Sequence, residues 1–484
     1  MEKNKSKFRE LTLVPLITFG ISSLLPGGDP PSAAAGAPVK PKPKSYYSAP
    51  KSYGTNRDPD VPKYAKPATE SIFKDEDWAP YLDVGFDTRF RFEYRDDDIR
   101  RNIDGLDTPL LQRHRLFLGV HDIIDPFRFA FEIEDARRHW GDFPKDNRDY
   151  NDAEVIRLQA ELYFKDALGV DDLGNPRPLM FRYGIQNFEF LDRRLLGNNQ
   201  WRNTTNTFLG FRGALGQEKN DWHIDLLAVQ PLERLISQWD KPVEGQWVYG
   251  AIGHWRGWSE YITIEPYYLA MDQEQTLIPA RADRTVHSPG VRAYGQFGDS
   301  GFDFDFTGTK QFGHNGNRDI DASAATGEIG YSFDHAWNPR VSAFYGFATG
   351  DKDPTDNVDN RFERFFGFAR PWSANDYIVN ENIESPKLRV ELTPAKDLRV
   401  DFGYSWFNLE SSRDRFQPAN LRDNRGRSGD EIGQEFDIRA RYNVTKNIEA
   451  ILGYAYIKSG EFLLNTQGRE DTDFVYFELS IGHF

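Results

Sequence analysis

From Tyr81 onward the chain alternates apolar and charged residues at every second position, and the habit recurs along its length. Leu82, Val84, Phe86, Phe90, Phe92 and Tyr94 share one parity, with the hydroxyl of Thr88 among them. Asp83, Asp87, Arg89, Arg91, Glu93 and Arg95 share the other. A period of two sends these sets to opposite faces of a β-strand. One face then wants hydrocarbon, and the other wants water or countercharge. A closed barrel in a membrane, with lipid outside and water inside, requires that pattern.

Composition carries the same tension. Of the 484 residues 28% are charged, yet 14% are aromatic, with 37 Phe, 22 Tyr and 11 Trp. A mean hydropathy of −0.67 excludes a bundle of membrane helices. Aromatic girdles around a polar interior reconcile the two. Cysteine is absent, which excludes disulfides and thiolate metal sites. The net charge of −15 argues against a nucleic-acid partner.

Residues 1–37 read as a secretory signal. Lys3, Lys5, Lys7 and Arg9 form a basic region, and an apolar stretch runs from Leu11 to Leu25. Small residues at 32–37 offer cleavage sites. The stretch is short for a spanning helix and is interrupted by Pro15; left uncleaved, it would be an anchor. Residues 38–76 are rich in Pro, Lys, Tyr and Ser and lack periodicity, so a flexible, solvated leader is expected. Its lysines offer a second role, contact with anionic polymer or lipid. The barrel is expected over 77–484.

About eighteen strand candidates of roughly 9–11 residues follow. In 127–136, Phe127, Phe129, Phe131 and Ile133 face out, and Arg128, Glu132 and Glu134 face in. Segments 302–307, 398–407 and 436–442 repeat the pattern, while 247–255 and 322–333 carry it weakly. The connections alternate in length. Long ones fall at 95–111, 138–154, 188–205, 231–246, 272–289, 350–381, 411–433 and 459–472. Short ones fall at 122–126, 216–220, 256–259, 298–300, 394–396 and 444–446, with 166–178 intermediate. Long external loops and short periplasmic turns mark an all-β, antiparallel, up-and-down barrel with an even strand number in the outer membrane. In the last strand Phe477, Leu479 and Ile481 share a parity that Phe484 breaks; a bulge near Gly482 would restore it.

Function should reside in the lumen. Arg89, Arg91, Arg113, Arg115, Arg128, Arg157, Arg389, Arg439 and Arg441 have inward parity. As a free ladder they would select anions and hold uronate carboxylates bidentately. Alternatively Arg89, Arg91, Arg439 and Arg441 neutralise neighbouring Asp83, Asp87, Glu435 and Asp437 across strands. Asp351, Asp353, Asp356 and Asp359 are candidate oxygen ligands for calcium. Their loop lacks the glycine and terminal Glu of an EF-hand, so a solvated external loop is the competing reading. No G-x-S-x-G or H-E-x-x-H motif occurs, and the nine His are scattered, so neither an enzyme nor a cofactor is expected. His114 and His223 read as girdle or lumen residues.

The stretch 182–212, RYGIQNFEFLDRRLLGNNQWRNTTNTFLGFR, resembles the alginate-export family of outer-membrane porins. Arg182, Gly184 and Gln186 fit its R-x-G-R-Q strand, with Ile185 in place of the usual Arg. Arg194, Leu195 and Gly197 fit its R-L-x-G turn; Trp201, Asn203, Thr207, Phe208, Gly210 and Arg212 fit the strand after it. Glu134-Asp135-Ala136-Arg137 looks like the family's strand-end signature. Gly350, Asp351 and Pro354 fit its G-D-x-x-P element, and IGQEFDIRARYNV from Ile432 fits a further strand. The resemblance spans most of 77–484. It implies an eighteen-stranded barrel, a gated electropositive conduit for an anionic polysaccharide, and periplasmic export partners. It also adds Arg182 and Arg212 to the pore-lining candidates. The competing readings are a general or nutrient-uptake porin of the same type and, more remotely, a barrel-embedded hydrolase.

Overall fold

The computed structural model describes residues 46–482, apart from 102–103, 278–279 and 469. The expected signal, the first part of the leader and Phe484 lie outside the described residues.

Among the described residues, eighteen long strands follow one another. They are β1 (Leu82–Asp96), β2 (Leu110–Ile124), β3 (Phe127–His139), β4 (Asn151–Phe164), β5 (Leu179–Gln186) and β6 (Phe208–Leu215). Next come β7 (Trp222–Glu233), β8 (Gln246–Trp255), β9 (Ile262–Gln273), β10 (Arg284–Gln296), β11 (Phe302–Asn315) and β12 (Arg318–Ser332). The last six are β13 (Arg340–Ala348), β14 (Ile383–Ala395), β15 (Leu398–Asn408), β16 (Glu431–Thr445), β17 (Ile448–Ser459) and β18 (Thr472–Gly482). Each pairs antiparallel with its neighbour in sequence. β1 pairs with β18 from Asp87↔Gly482 to Asp96↔Asp473, so the sheet closes and no edge strand remains.

Burial follows parity. In β1, Arg89, Arg91, Glu93 and Arg95 are buried inside, while Phe86 and Phe92 are 44% and 40% exposed on the outer wall. Charges inside and aromatics outside invert the soluble pattern, as lipid requires. Trp255, Trp258, Tyr261, Phe297, Phe302 and Trp337 are exposed around the short turns, where a girdle meets the membrane surface. Long and short connections alternate as expected, with one departure. β11 and β12 meet externally through the two-residue turn 316–317, where Gly316 takes φ +60°. The weak pattern at 322–333 is nevertheless a strand, its inner face carrying the small Ala322, Ala324 and Thr326 beside Glu328.

Two features fill the interior. External loops 187–207 and 349–382 fold inward and bury Phe188, Phe190, Leu195, Trp372, Tyr377 and Ile378 in an apolar cluster. The second is the polypeptide from Tyr46 to Tyr81, which departs from the expected solvated leader. Tyr53 and Ala65 are buried, and a short helix, α1 (Pro67–Ser71), seats against β1 through Thr69, which donates to the Leu82 carbonyl and accepts from Val84 N–H. Gly85 allows that seating, because a Cβ there would collide with the Tyr64 carbonyl. Missing periodicity signalled irregular backbone. It carried no information on whether Tyr, Ser, Arg and Asp would find partners on the lumen wall.

Candidate functional site: the barrel lumen

Ten of the eleven sequence-nominated arginines have a carboxylate within 4.0 Å. Arg115 pairs with Glu134, Arg157 with Glu132 at 3.1 Å, and Arg439 with Asp401 at 2.9 Å. Arg91 bridges Glu93 and Glu478. Arg113 pairs with Asp87 at 3.4 Å, and Arg128 with Asp122 at 3.3 Å. Arg89 is 3.8 Å from Glu478 and donates to the Gln200 and Arg202 carbonyls. Arg441 alone among the eleven forms no ion pair with a described residue. The wall is therefore a neutralised lattice of charges rather than a free cationic ladder. Its partners differ from the expected ones, because register offsets acid and base along the strands. Glu435, for instance, accepts from the Ser373 hydroxyl and Ala374 N–H of an infolded loop, not from a strand arginine.

The less compensated cations lie in the external loops. Arg148, Arg202, Arg234 and Arg364 are half-buried and interact with one another through space. Arg202 is tied to Asp376, and Arg148 to Asp146 at 3.2 Å. Arg234 and Arg364 form no ion pair with a described residue. Burial, reinforced by Arg202, holds both of their guanidiniums below the ordinary arginine value. Burial alone would raise the Asp376 carboxyl, but Arg202 and Arg100 overcome it and hold that group below the usual range. Parity cannot flag loop residues, so no sequence signal singled these four out.

The segment 46–66 crosses the lumen. The Tyr47 ring lies 5.2 Å from the Arg256 guanidinium near the periplasmic rim. Ser52 and Thr55 donate to Asp305 on β11. The Tyr53 ring stacks 3.6 Å from the Arg389 guanidinium on β14, which suits a cation over an aromatic face. Arg57 pairs with Glu265 on β9 at 3.4 Å. Asp60 meets Arg182 on β5 at 2.7 Å and Arg212 on β6 at 3.0 Å, and Tyr64 donates to Glu132 on β3. Its Gly54 carbonyl also accepts from Arg193, and Asp58 N–H donates to Glu189, both on infolded loop 187–207.

The motif residues at 182–212 build this arrangement. Gly184 and Gly210 sit opposite each other on β5 and β6 at φ +136° and +152°, where side chains are strained. A Cβ on either would strike the carbonyl of Leu158 or Ala228 on the neighbouring strand. Gln186 donates to the Gly210 carbonyl at 3.1 Å. Asn203 donates to the carbonyls of Gln112, Arg137 and Asp149, pinning the infolded loop to the outer ends of β2 and β3. Trp201 lies between Arg91 and Arg370, at 3.9 and 4.0 Å. Arg194 pairs with Asp192, and Gly197 N–H donates to the Phe366 carbonyl, joining the two infolded loops. The alginate export family model matches residues 80–477. The chain belongs to the alginate export family.

This alginate-export barrel is also similar in fold to Pseudomonas aeruginosa outer-membrane proteins. OccK5 (OpdH) is 12% identical with a TM-score of 0.53, covering 84% of this chain and 98% of that one. OprD is 12% identical with a TM-score of 0.53, covering 82% and 93%. OpdO is 15% identical with a TM-score of 0.53, covering 83% and 97%. No curated protein sequence matches the chain. Family and fold together make the protein an outer-membrane channel.

In the alginate-export barrel the acidic loop has its own cation. Arg318 donates to both Asp351 oxygens at 2.9 and 3.0 Å and lies 3.5 Å from Asp356. Asp353 caps Thr355, and Asp359 accepts from Asn315. A guanidinium thus stands where calcium was the sequence-level candidate. A second grouping, His223, Asp225 and His254, is buried inside the wall. Its imidazoles stack 3.7 Å apart at 10°. Parallel rings cannot aim both in-plane lone pairs at one ion, so this geometry suits a hydrogen-bonded wall element.

Proposed function

We propose that the channel passes an anionic polysaccharide of the uronate type outward across the outer membrane. The observation that carries this reading is the loop arginine cluster. Arg234 and Arg364 stand without ion-paired carboxylates in the external loops, whereas ten of the eleven candidate wall arginines are matched. A polyanion threading the mouth meets guanidiniums that can exchange one carboxylate for the next. The neutralised wall offers no deep electrostatic trap on which the polymer would stall. The family's name points to the same substrate class, and periplasmic export partners would deliver it.

Planar-bilayer recordings of the full chain, with and without polymannuronate, test the proposal. Polymer-dependent reduction of an anion-preferring current is the expected result. Ion current indifferent to polymer would favour the uptake porin. Turnover of an ester or peptide, lost on changing one Ser or His, would make the protein an enzyme.

A further inference from the structure

Asp60 belongs to no strand, yet three wall guanidiniums converge on it. Arg182 grips it as a fork, with Nη1 to Oδ1 at 3.0 Å and Nη2 to Oδ2 at 2.7 Å. Arg212 Nη1 donates to Oδ1 at 3.0 Å, and Arg157 stands 3.9 Å away. Each of these arginines is also held by a carboxylate of the wall: Arg157 by Glu132, Arg182 by Glu161 and Arg212 by Asp225. The wall acids fix the guanidiniums in place, and the N–H groups left over point at Asp60. Take Asp60 away and a preorganised bidentate carboxylate receptor remains.

Two further observations bear on access. Asp60 lies in the sequence Asp58-Pro59-Asp60-Val61-Pro62, where two prolines restrict the backbone and present the carboxylate at low entropic cost. The same residues face a cavity of about 970 Å³ lined by Asp60, Lys63, Arg128, Glu161, Arg182 and Arg212. It reaches the periplasmic turns through Asp122, Gln217 and Lys219. A ligand arriving from the periplasm would therefore meet the site from below.

We propose that Arg182 and Arg212, backed by Arg157, form a carboxylate-binding site that Asp60 occupies from within the chain. A carboxylate-bearing ligand entering from the periplasmic side competes with Asp60 for the two guanidiniums and so unseats the segment that crosses the lumen. The segment is thereby a resident imitation of the ligand. This deepens the channel reading and rests on it for its biological sense, but its chemistry stands on the arginine geometry.

Calorimetric titration of the full chain in detergent with sodium glucuronate, and separately with a mannuronate hexamer, tests it. Asp60→Asn keeps the size and removes the charge, and should bind at least one of the two ligands tenfold or more tightly than wild type. Adding Arg212→Gln to Asp60→Asn should abolish that gain. Response to the monomer identifies a small carboxylate, and response to the hexamer alone identifies polymer. Equal affinity of wild type and Asp60→Asn for both ligands would overturn the proposal, as would a gain untouched by Arg212→Gln. Wild-type protein gives a readout that needs no variant: either ligand should speed tryptic cleavage after Arg57 or Lys63, and cleavage unchanged by both overturns it. Because binding and proteolysis need no current, a silent bilayer would count against the channel reading alone.

Discussion

The Arg389 guanidinium reaches past Gly403 to hold Asp437 through both carboxylate oxygens, at 2.6 and 2.7 Å. Gly403 lies between them in register, and a Cβ there would come within 2.9 Å of Arg389 Nη2 and 2.8 Å of Asp437 Oδ2. Arg389 also holds Asp401 at 2.5 Å, and Asp401 holds Arg439. Arg389→Ala should strand the buried Asp437, leave Asp401 to Arg439 alone, and cost about 3–5 kcal/mol, because one partner of a buried pair is left uncompensated. Removing charge from both sides, as in Arg389→Met with Asp437→Asn, should cost less. Urea unfolding of the vesicle-reconstituted barrel measures the order.

Loop and wall arginines should separate in function. Arg234→Gln or Arg364→Gln removes a cation that no described carboxylate pairs with, so each should lower anion preference with little loss of stability. A unit charge about 10 Å from a permeating anion, at an effective dielectric near 20 and with screening, is worth about 1 kcal/mol, or roughly fivefold. Reversal potentials across a salt gradient report the change. Unaltered potentials in both variants would remove the basis of the export proposal.

Asp240 supplies a pH dependence at the mouth. Burial pushes its carboxyl up to about 6, although it accepts from the Leu235 N–H and Asn151. It lies near Arg234. An acid held above its ordinary value takes up a proton as pH falls from 7.5 to 5, which deletes one negative charge beside the guanidinium. Anion preference should therefore rise over that interval. In Asp240→Asn it should start higher and rise less over the same interval.

Asp60 behaves in the opposite sense. Burial would raise its carboxyl, but Arg182 and Arg212 outweigh burial and hold it well below the usual carboxylate range. A depressed folded value means the ionic contribution is fully present above the ordinary pKa near 4 and is lost only as pH falls through the lowered one. Mild acid, from pH 7 to 4.5, should leave the segment seated. Tryptic-site exposure after brief acid treatment checks this, and release already at pH 5 would contradict the assignment.

Gly85→Ala should unseat the same segment mechanically. The added Cβ would collide with the Tyr64 carbonyl, a backbone atom that cannot turn aside. Tryptic cleavage after Arg57 and Lys63 should accelerate while the folded barrel persists on gels, since β1 itself pairs through its ordinary ladder with β2 and β18.

Alternation from Leu82 to Tyr94, repeated strand by strand, determined the barrel, its membrane and its inside-outside assignment, because period two depends only on local backbone geometry and solvent. Loop lengths gave the up-and-down order for the same local reason. The motif at 182–212 marked a special stretch, and its Gly184 and Gly210 proved to sit where a neighbouring carbonyl leaves no room. Pairing partners were a different matter. Arg389 chose Asp437 and Asp401, and Glu435 turned to Ser373, through register and infolded loops that bring together residues far apart in sequence. Tertiary structure alone placed Arg234 and Arg364 in one cluster and laid Asp60 across Arg182 and Arg212. Neither a loop nor a proline-rich leader has a period to read, and a charge finds its partner only once the chain has closed around it.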